Sequence, residues 1–121
     1  MISTNDIIKV VIDYFHIDES CLSEKSRCTE LVKPRHLAMY FCRFYTNESF
    51  ASIGRTFSRN HASVLHAIKS VENQNETDKR YYIQFKELQE KIKLENKMIE
   101  EITDSEVFQE NSFYTNLELN N

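Results

Sequence analysis

Serine and histidine side chains cluster between residues 60 and 66, where they could act as a nucleophile and its base. Ser63 and His66 are three positions apart, so a helix would place them on one side. Nucleophilic catalysis also needs a group that orients the histidine, and an oxyanion site, which glycine-rich loops can build. Gly54 is the single glycine of the chain. We therefore predict that the chain is not an enzyme.

Three cysteines, Cys21, Cys28 and Cys42, are the other reactive side chains. Their number is odd, and no two of them have the C-x-x-C spacing typical of zinc sites. We expect buried or half-buried thiols in a reducing cytoplasm, and a zinc site completed by histidine is the alternative. The sequence has no secretory-signal pattern at its start, and no apolar run approaches the roughly 18 residues of a membrane span. It therefore predicts a cytoplasmic protein with no metal, no cofactor and no membrane contact.

The net charge of -4 is distributed unevenly along the chain. Residues 94–121 contain seven acids and one base, whereas residues 23–71 contain eight bases and three acids. Salt screens charges over roughly 10 Å, so phosphate binding depends on the charges nearby. A local basic surface on an acidic chain is therefore enough to bind phosphate. The bases of this stretch are Lys25, Arg27, Lys33, Arg35, Arg43, Arg55, Arg59 and Lys69.

Helices must position these side chains, because one glycine and one proline provide too few tight turns for a sandwich or a barrel. An apolar stripe after Ser3 predicts a first helix, with Asp6 in its first turn. Pro34 predicts the first turn of a second helix, in which Arg35 and Arg43 lie away from the core. The predicted buried face of that helix consists of Leu37, Ala38, Phe41, Phe44 and Tyr45.

Two further helices separated by a tight turn are predicted next. Residues 46–49 predict a break before a short helix that begins at Phe50. The following helix opens near Asn60, capped by Asn60 or Ser58, and runs to about Val71. One side of it carries Val64, Ile68 and Val71, and the opposite side carries Ala62, His66, Lys69 and Asn73. Because the opposite side has no acid, it can lie in a groove of a nucleic acid.

The last helix is predicted over residues 78–102, after a polar link at residues 73–77. Its apolar positions, in steps of four and three, are Tyr81, Phe85, Leu88, Ile92, Ile99 and Ile102. The first half of this helix can cover the core, or the helix can form a dimeric coiled coil, which Glu95 on the seam disfavours. Residues after about Asp104 are acidic and rich in asparagine, which predicts disorder. We therefore divide the chain into a domain at 1–93 and a helix extension with an acidic tail at 94–121.

Four short motifs follow one another between Leu31 and Ile68. They are V-x-P-R at 32–35, A-M-Y at 38–40, I-G-R at 53–55 and H-x-S-V-L-H-A at 61–67. Together they resemble the C-terminal helix-turn-helix domain of the bacterial chromosomal replication initiator DnaA. The resemblance implies an all-α, multi-helix fold with a long C-terminal helix, and a partner that is double-stranded DNA.

The resemblance also implies how the domain binds DNA. The helix that opens at Asn60 enters the major groove, and a basic loop reaches the neighbouring minor groove with Arg27. Arg35 and Arg43 match positions where the family approaches the DNA backbone or a base edge. The predicted DNA-binding residues are Arg27, Lys33, Arg35, Arg43, Arg59, Asn60, His61, Ala62, Ser63 and His66.

This chain departs from the family pattern at the positions that read bases. A single Ser58 stands in place of a glycine pair, Asn60 in place of an aspartate, and Ala62 and Ser63 in place of two threonines. An aspartate accepts a hydrogen bond from cytosine N4, whereas asparagine prefers the donor–acceptor edge of adenine. The preferred DNA sequence therefore need not be that of the family.

The resemblance implies a sequence-preferring DNA-binding protein in replication initiation or its regulation. The chain has no G-x-x-x-x-G-K-[ST] run, so we expect a stand-alone domain that binds no nucleotide and lacks the ATPase module of the initiator. The alternative is a protein-interaction module, in which the last helix and the acidic tail bind a protein partner or a second copy. A domain that ignores every duplex would favour this alternative.

Overall fold

Helices alone make up the regular structure of residues 1–18, 22 and 29–108, which are the residues that the computed structural model describes. In these ranges the chain forms five helices. They are α1 (Thr4–Phe15), α2 (Thr29–Tyr45), α3 (Phe50–Thr56), α4 (His61–Thr77) and α5 (Lys79–Phe108). The predicted all-α class is thereby confirmed. Within the described ranges, no helix has the length and apolar composition needed to cross a lipid bilayer.

The first helix begins where the sequence predicts. The Ser3 hydroxyl accepts a hydrogen bond from the Asp6 N–H at 3.2 Å, and the Asp6 carboxylate accepts one from the Ser3 N–H at 3.1 Å. This reciprocal pair satisfies backbone donors that a helix start otherwise leaves unpaired. The hydrogen bonds from Ser3 also lower the pKa of Asp6. The apolar face of α1 then enters the core with Ile7, Ile8 and Val11.

The second helix differs from its prediction in its start and in its faces. It begins at Thr29 and contains Pro34 in its interior, so the predicted start at Pro34 is wrong. Packing of α2 against α1 and α4 outweighs the backbone hydrogen bond that the buried proline removes. Arg35, predicted to lie away from the core, is only 5% exposed, whereas Phe44, predicted to be buried, is 57% exposed. Several helices pack around α2, and their arrangement cannot be read from its own periodicity.

Helices α3 and α4 form the predicted helix-turn-helix. Ser49 caps α3, as its hydroxyl accepts a hydrogen bond from the Ser52 N–H at 3.1 Å. The turn folds tightly over Gly54, whose carbonyl accepts a hydrogen bond from the Arg59 N–H at 2.7 Å. A Cβ atom on Gly54 would lie 2.6 Å from the Arg59 carbonyl oxygen. Glycine is therefore required here for a close approach of backbone to backbone.

Helix α4 is longer than predicted. Residues 73–77, predicted to be a polar link, are helical, and the chain breaks at Asp78 instead. The stretch is polar but has neither glycine nor proline, so nothing in it stops a helix that is already anchored. The Asp78 carboxylate accepts hydrogen bonds from the Arg80 and Tyr81 N–H groups at 3.0 and 3.1 Å, which starts α5.

The first half of α5 covers the core, which was one of the two predicted uses of this helix. Its buried residues are Tyr81, Phe85, Leu88 and Ile92. The Phe85 ring stacks on Phe41 of α2, with centroids 5.1 Å apart. The helix continues past Asp104, where disorder was predicted to begin, and ends at Phe108. Residues 109–121 lie outside the described residues.

Candidate functional site

The exposed first turn of α4 is the centre of the candidate site. Asn60, His61 and Ala62 are exposed, and Ser63 is half-buried. The opposite side of α4 is anchored in the core by Val64, Ala67, Ile68 and Val71. A helix held in this way presents its N-terminal turn as a rigid projection. The predicted division of α4 into an apolar side and a polar side is confirmed.

Asn60 caps α4, and this role limits how its side chain can bind a ligand. Its Oδ1 atom accepts hydrogen bonds from the Ser63 backbone N–H at 2.9 Å and from the Ser63 hydroxyl at 3.2 Å. The amide has one oxygen acceptor and one nitrogen donor group. With the oxygen occupied by the cap, the nitrogen of the exposed Asn60 side chain is available to donate outward. A two-bond contact with an adenine edge, the preference inferred from the residue type, would require the cap to break.

The turn before α4 positions an arginine. Ser58 adopts a left-handed backbone with φ 57°, a region that favours glycine. The chain reverses direction at Ser58, and Arg59 lies between this turn and Asn60, the N-cap of α4. The Arg59 guanidinium donates a hydrogen bond from Nη1 to the Phe57 carbonyl oxygen at 3.0 Å. Arg59 is therefore half-buried and held by the turn itself.

A cleft of about 350 Å³ lies beside this turn, between α2 and α4. Its lining consists of Arg35, His36, Met39, Arg59, Asn60, Ala62, Ser63 and His66. No acid is among these residues. Burial of the Arg35 guanidinium lowers its pKa, and the charge of Arg59 acts in the same direction. Two arginines therefore line the same cleft.

Two histidines meet on one side of the cleft. The rings of His36 and His66 pack edge to face, with centroids 5.7 Å apart and planes at 83°. Burial lowers the pKa of His36 to about 4, and the neighbouring His66 and Arg35 contribute to the same shift. His36 is therefore uncharged at neutral pH. Ser63 donates to Asn60 while His66 packs on His36, so this pair lacks the arrangement of a nucleophile with its base.

Two predicted DNA-binding residues lie away from the cleft. The Lys33 ammonium donates a hydrogen bond to the Gln84 side chain and lies 5.2 Å from the Tyr81 ring centroid, so it faces α5. The Arg43 guanidinium lies 4.3 Å from the Phe50 ring centroid. It also donates to the Glu48 carbonyl oxygen at 3.3 Å. Arg27 lies outside the described residues, as do Cys21 and Cys28.

Sequence reasoning did not include His36 or Arg55 among the site residues. His36 follows Arg35 on a helix treated as core-forming, and only the packing of α4 shows that it meets His66. Arg55 is exposed at the end of α3 and lines a second, more open depression next to Arg59 and Asn60. The I-G-R motif at 53–55 contains Arg55 and could have indicated it as a site residue. The remaining thiol, Cys42, is buried, and burial raises its pKa to about 12, which makes it unreactive.

Comparison with known proteins places the same segment in a family. Residues 4–71, from α1 through most of α4, match the family model described as the bacterial dnaA protein helix-turn-helix. Over 93 residues the chain is 38% identical to the chromosomal replication initiator protein DnaA of Bacteroides thetaiotaomicron, covering 76% of this chain and 20% of that protein. The DnaA protein of Flavobacterium psychrophilum is 46% identical over 81 residues, which cover 66% of this chain and 17% of that protein. The chain thus spans about a fifth of the length of the curated relatives that it matches.

Proposed function

Because the chain belongs to the DnaA helix-turn-helix family, we propose that it binds double-stranded DNA with the first turn of α4 in the major groove. The observation that carries this proposal is the exposed start of α4 at Asn60, His61 and Ala62, on a helix whose other side is buried. The major groove is about 12 Å wide and accepts an α-helix in this orientation. The edges of the bases would then face the exposed side chains of Asn60, His61 and Ala62.

Charge around the first turn supports the same proposal. Arg35 and Arg59 line the cleft beside Asn60, and Arg55 lines the neighbouring depression together with Arg59. The first acid of α4 is Glu72, several turns from the exposed tip. DNA backbone phosphates flank the major groove, so arginines close to the inserted turn can fix its position without reading sequence.

Sequence preference would arise from three side chains at the tip of α4. The Ala62 methyl group can contact the methyl group of thymine. The outward amide nitrogen of Asn60 donates and cannot accept, so it suits guanine N7 or O6, adenine N7 or thymine O4, and disfavours the cytosine amino group. His61 adds a ring that can donate or accept. We infer that Asn60 selects a base that presents a hydrogen-bond acceptor to its amide nitrogen.

The proposal includes a minor-groove contact and a process. Arg27 would enter the minor groove, as its place in the family pattern implies, because narrow minor grooves attract arginine. The relatives are named chromosomal replication initiator proteins, and we place this chain in replication initiation or its regulation. It would act in the cytoplasm by binding alone, without hydrolysing nucleotide.

The experiment is selection from random duplexes with the whole chain, followed by fluorescence anisotropy on the enriched sequence. We expect a short motif, and the logarithm of affinity should fall with the logarithm of salt by about 0.9 per phosphate contacted. His61→Ala should weaken binding by about 1–3 kcal/mol. Arg55→Ala should reduce the salt slope by about one contact.

Lys93→Ala is the matched control, because Lys93 is exposed on α5 and pairs with Glu90 at 3.8 Å. It should leave both affinity and salt slope unchanged. If no duplex is enriched and none is bound, the proposal is wrong and the protein-interaction module remains. If His61→Ala and Arg55→Ala bind like the native chain, the first turn of α4 is not the reading surface.

A further inference from the structure

Three apolar side chains of α5 form one exposed stripe on the folded chain. Ile83, Leu94 and Met98 are 56%, 59% and 48% exposed. At about 100° per residue they lie within about 60° of one another, over a length of about 22 Å. This stripe is separate from the seam predicted for pairing, whose first four residues are buried in the core. Glu95 on that seam therefore gives no reason against pairing through the exposed stripe.

A groove of about 270 Å³ between α1 and α5 borders the stripe. Val10, Tyr14 and Leu94 are among the residues that line it. Val10 and Tyr14 are half-buried, and the Tyr14 hydroxyl donates a hydrogen bond to the Glu87 carboxylate, which holds α1 beside α5. A second apolar helix laid along the stripe would therefore also contact the apolar edge of α1.

The charge of α5 changes sign along its length. Residues 79–86 contain three bases and no acid, residues 87–99 contain three of each, and residues 100–108 contain four acids and no base. Two parallel copies of α5 would bring like charges together at both ends. Two antiparallel copies would instead bring the basic beginning of each helix against the acidic end of the other. The helix dipoles also favour the antiparallel arrangement.

We propose that two copies of the chain associate through this stripe, with their α5 helices antiparallel about a two-fold axis next to Leu94. A two-fold interface uses the same patch of both copies, so the patch must complement itself. The apolar stripe and the order of charge along α5 meet this requirement. The groove beside α1 then receives apolar side chains of the second copy.

The register of the two helices follows from charged residues along one edge of the stripe. Two antiparallel helices present the same edge to each other, and Lys86, Glu90, Lys97 and Glu101 are all exposed along one edge. About this axis Lys86 comes level with Glu101 of the second copy. Glu90, which contacts Lys93 of its own helix at 3.8 Å, comes level with Lys97 of the second copy. The axis repeats both pairs, so opposite charges meet on either side of it.

The proposed interface and the candidate DNA surface lie on different helices. The residues that line the cleft and the depression beside the tip of α4 belong to α2, α3, α4 and the turn before α4. The stripe and the groove belong to α1 and α5. Association can therefore be measured without DNA, and the inference does not rest on the proposed function. Because the stripe is short, association should need higher chain concentrations than urea denaturation, which then reports the single chain.

The first test is sedimentation equilibrium of the whole chain without DNA, from micromolar to millimolar concentration. The mass should rise from the 14.4 kDa of a single chain towards twice that value. Leu94→Ala should raise the dissociation constant about tenfold or more, because it removes the central apolar contact from both copies. Leu65→Ala is the matched control, because Leu65 is 41% exposed on α4, and it should associate like the native chain. A native chain that stays single at every concentration would leave the stripe to a different protein and overturn the inference.

Charge reversal tests the antiparallel order. Lys86→Glu and Glu101→Lys each place two pairs of like charge in the dimer, so each should raise the dissociation constant about tenfold at low salt. The double variant restores opposite charges and should return the dissociation constant close to the native value. A double variant that associates as weakly as either single variant would overturn the antiparallel order.

Disulfide formation tests the position of the axis. In a chain that carries Cys21→Ser and Cys28→Ser and keeps the buried Cys42, Leu94→Cys should give a disulfide-linked dimer under oxidising conditions, because the two side chains meet at the axis. Ile83→Cys is the matched control and should not cross-link, because the two copies of residue 83 lie about 30 Å apart along the antiparallel helices. Equal cross-linking at both positions would indicate a parallel pair, and no cross-linking of Leu94→Cys would exclude this axis; either result would overturn the inference.

Discussion

Exchanging Asn60 for aspartate changes one atom of the outward-facing group and should change the base that α4 prefers. Aspartate and asparagine are equally good N-caps, so one carboxylate oxygen can accept the hydrogen bond now made by the Ser63 N–H at 2.9 Å. The other oxygen then replaces the amide nitrogen at the DNA surface. A donor becomes an acceptor, and the suitable base changes from one that presents an acceptor, such as guanine or thymine, to one that presents an amino donor, which is cytosine or adenine.

The size of the change can be worked out from the same contacts. One base contact discriminates by about 1–3 kcal/mol, which is roughly 5-fold to 150-fold in relative affinity. The free energy of unfolding should stay within about 0.5 kcal/mol or rise slightly, because a negative charge at a helix start is favourable. Asn60→Ala is the contrasting variant: it removes the cap and should lower the free energy of unfolding by about 1 kcal/mol. It should also lose preference at this base pair.

The assay is competition binding with four duplexes that differ only at the base pair facing the cap. The affinities of the four duplexes are compared with one another for each variant. A carboxylate added close to the DNA phosphates lowers the affinity for every sequence, so absolute affinities would not report base preference. Urea denaturation of the two variants reports the cap separately. If Asn60→Asp keeps its stability and also keeps the native base preference at every position, then the amide nitrogen does not read a base.

Three further predictions concern the fold. Gly54→Ala places a Cβ atom 2.6 Å from the Arg59 carbonyl oxygen, so it should lower the free energy of unfolding by about 1–3 kcal/mol in urea denaturation; an unchanged midpoint would contradict the close approach. Leu88→Ala should lower the free energy of unfolding by about 2–5 kcal/mol, because Leu88 is buried. Leu94→Ala should lower it by less than about 0.5 kcal/mol, because Leu94 is exposed. Equal losses in urea denaturation would mean that α5 does not cover the core. The free energy of unfolding should fall as pH falls from 6.5 towards 4. Folding lowers the pKa of His36 to about 4, so in this pH range the unfolded chain binds a proton at His36 more readily than the folded chain does. Denaturation at stepped pH should show a smaller fall for His36→Gln, and identical curves would exclude His36 as the source.

Local signals were sufficient for much of the architecture. The cap at Ser3 involves neighbours three residues apart, so the start of α1 could be predicted from residue types alone. The helix-turn-helix was predictable because its motifs have a fixed spacing and because the apolar residues of α4 recur at helical period. The stretch at 73–77 was misassigned because polar composition was taken for a link, although it contains no residue that stops a helix.

The candidate site was predicted in part, and the limits are physical. Asn60, His61 and Ala62 were predicted to bind DNA from the start of this helix, and the structure shows that all three are exposed, while their contact with DNA stays a prediction. Which atom of Asn60 can meet DNA depends on the cap, and this requires the turn geometry. The predicted orientation of Arg35 was wrong, because several helices share the surface of α2 and bury a wider arc than one apolar stripe indicates.

Sequence by itself determined the helical class, the order of the helices and the residues at the tip of α4, because each depends on contacts between residues close together in the chain. Tertiary structure alone decided that Arg35 shares a cleft with Arg59, and that His36 meets His66. Those side chains come from different helices, and periodicity specifies which residues share a face but not which neighbour covers it. Packing of α2 against α4 sets that arrangement, and with it the charge and the proton affinity of the cleft.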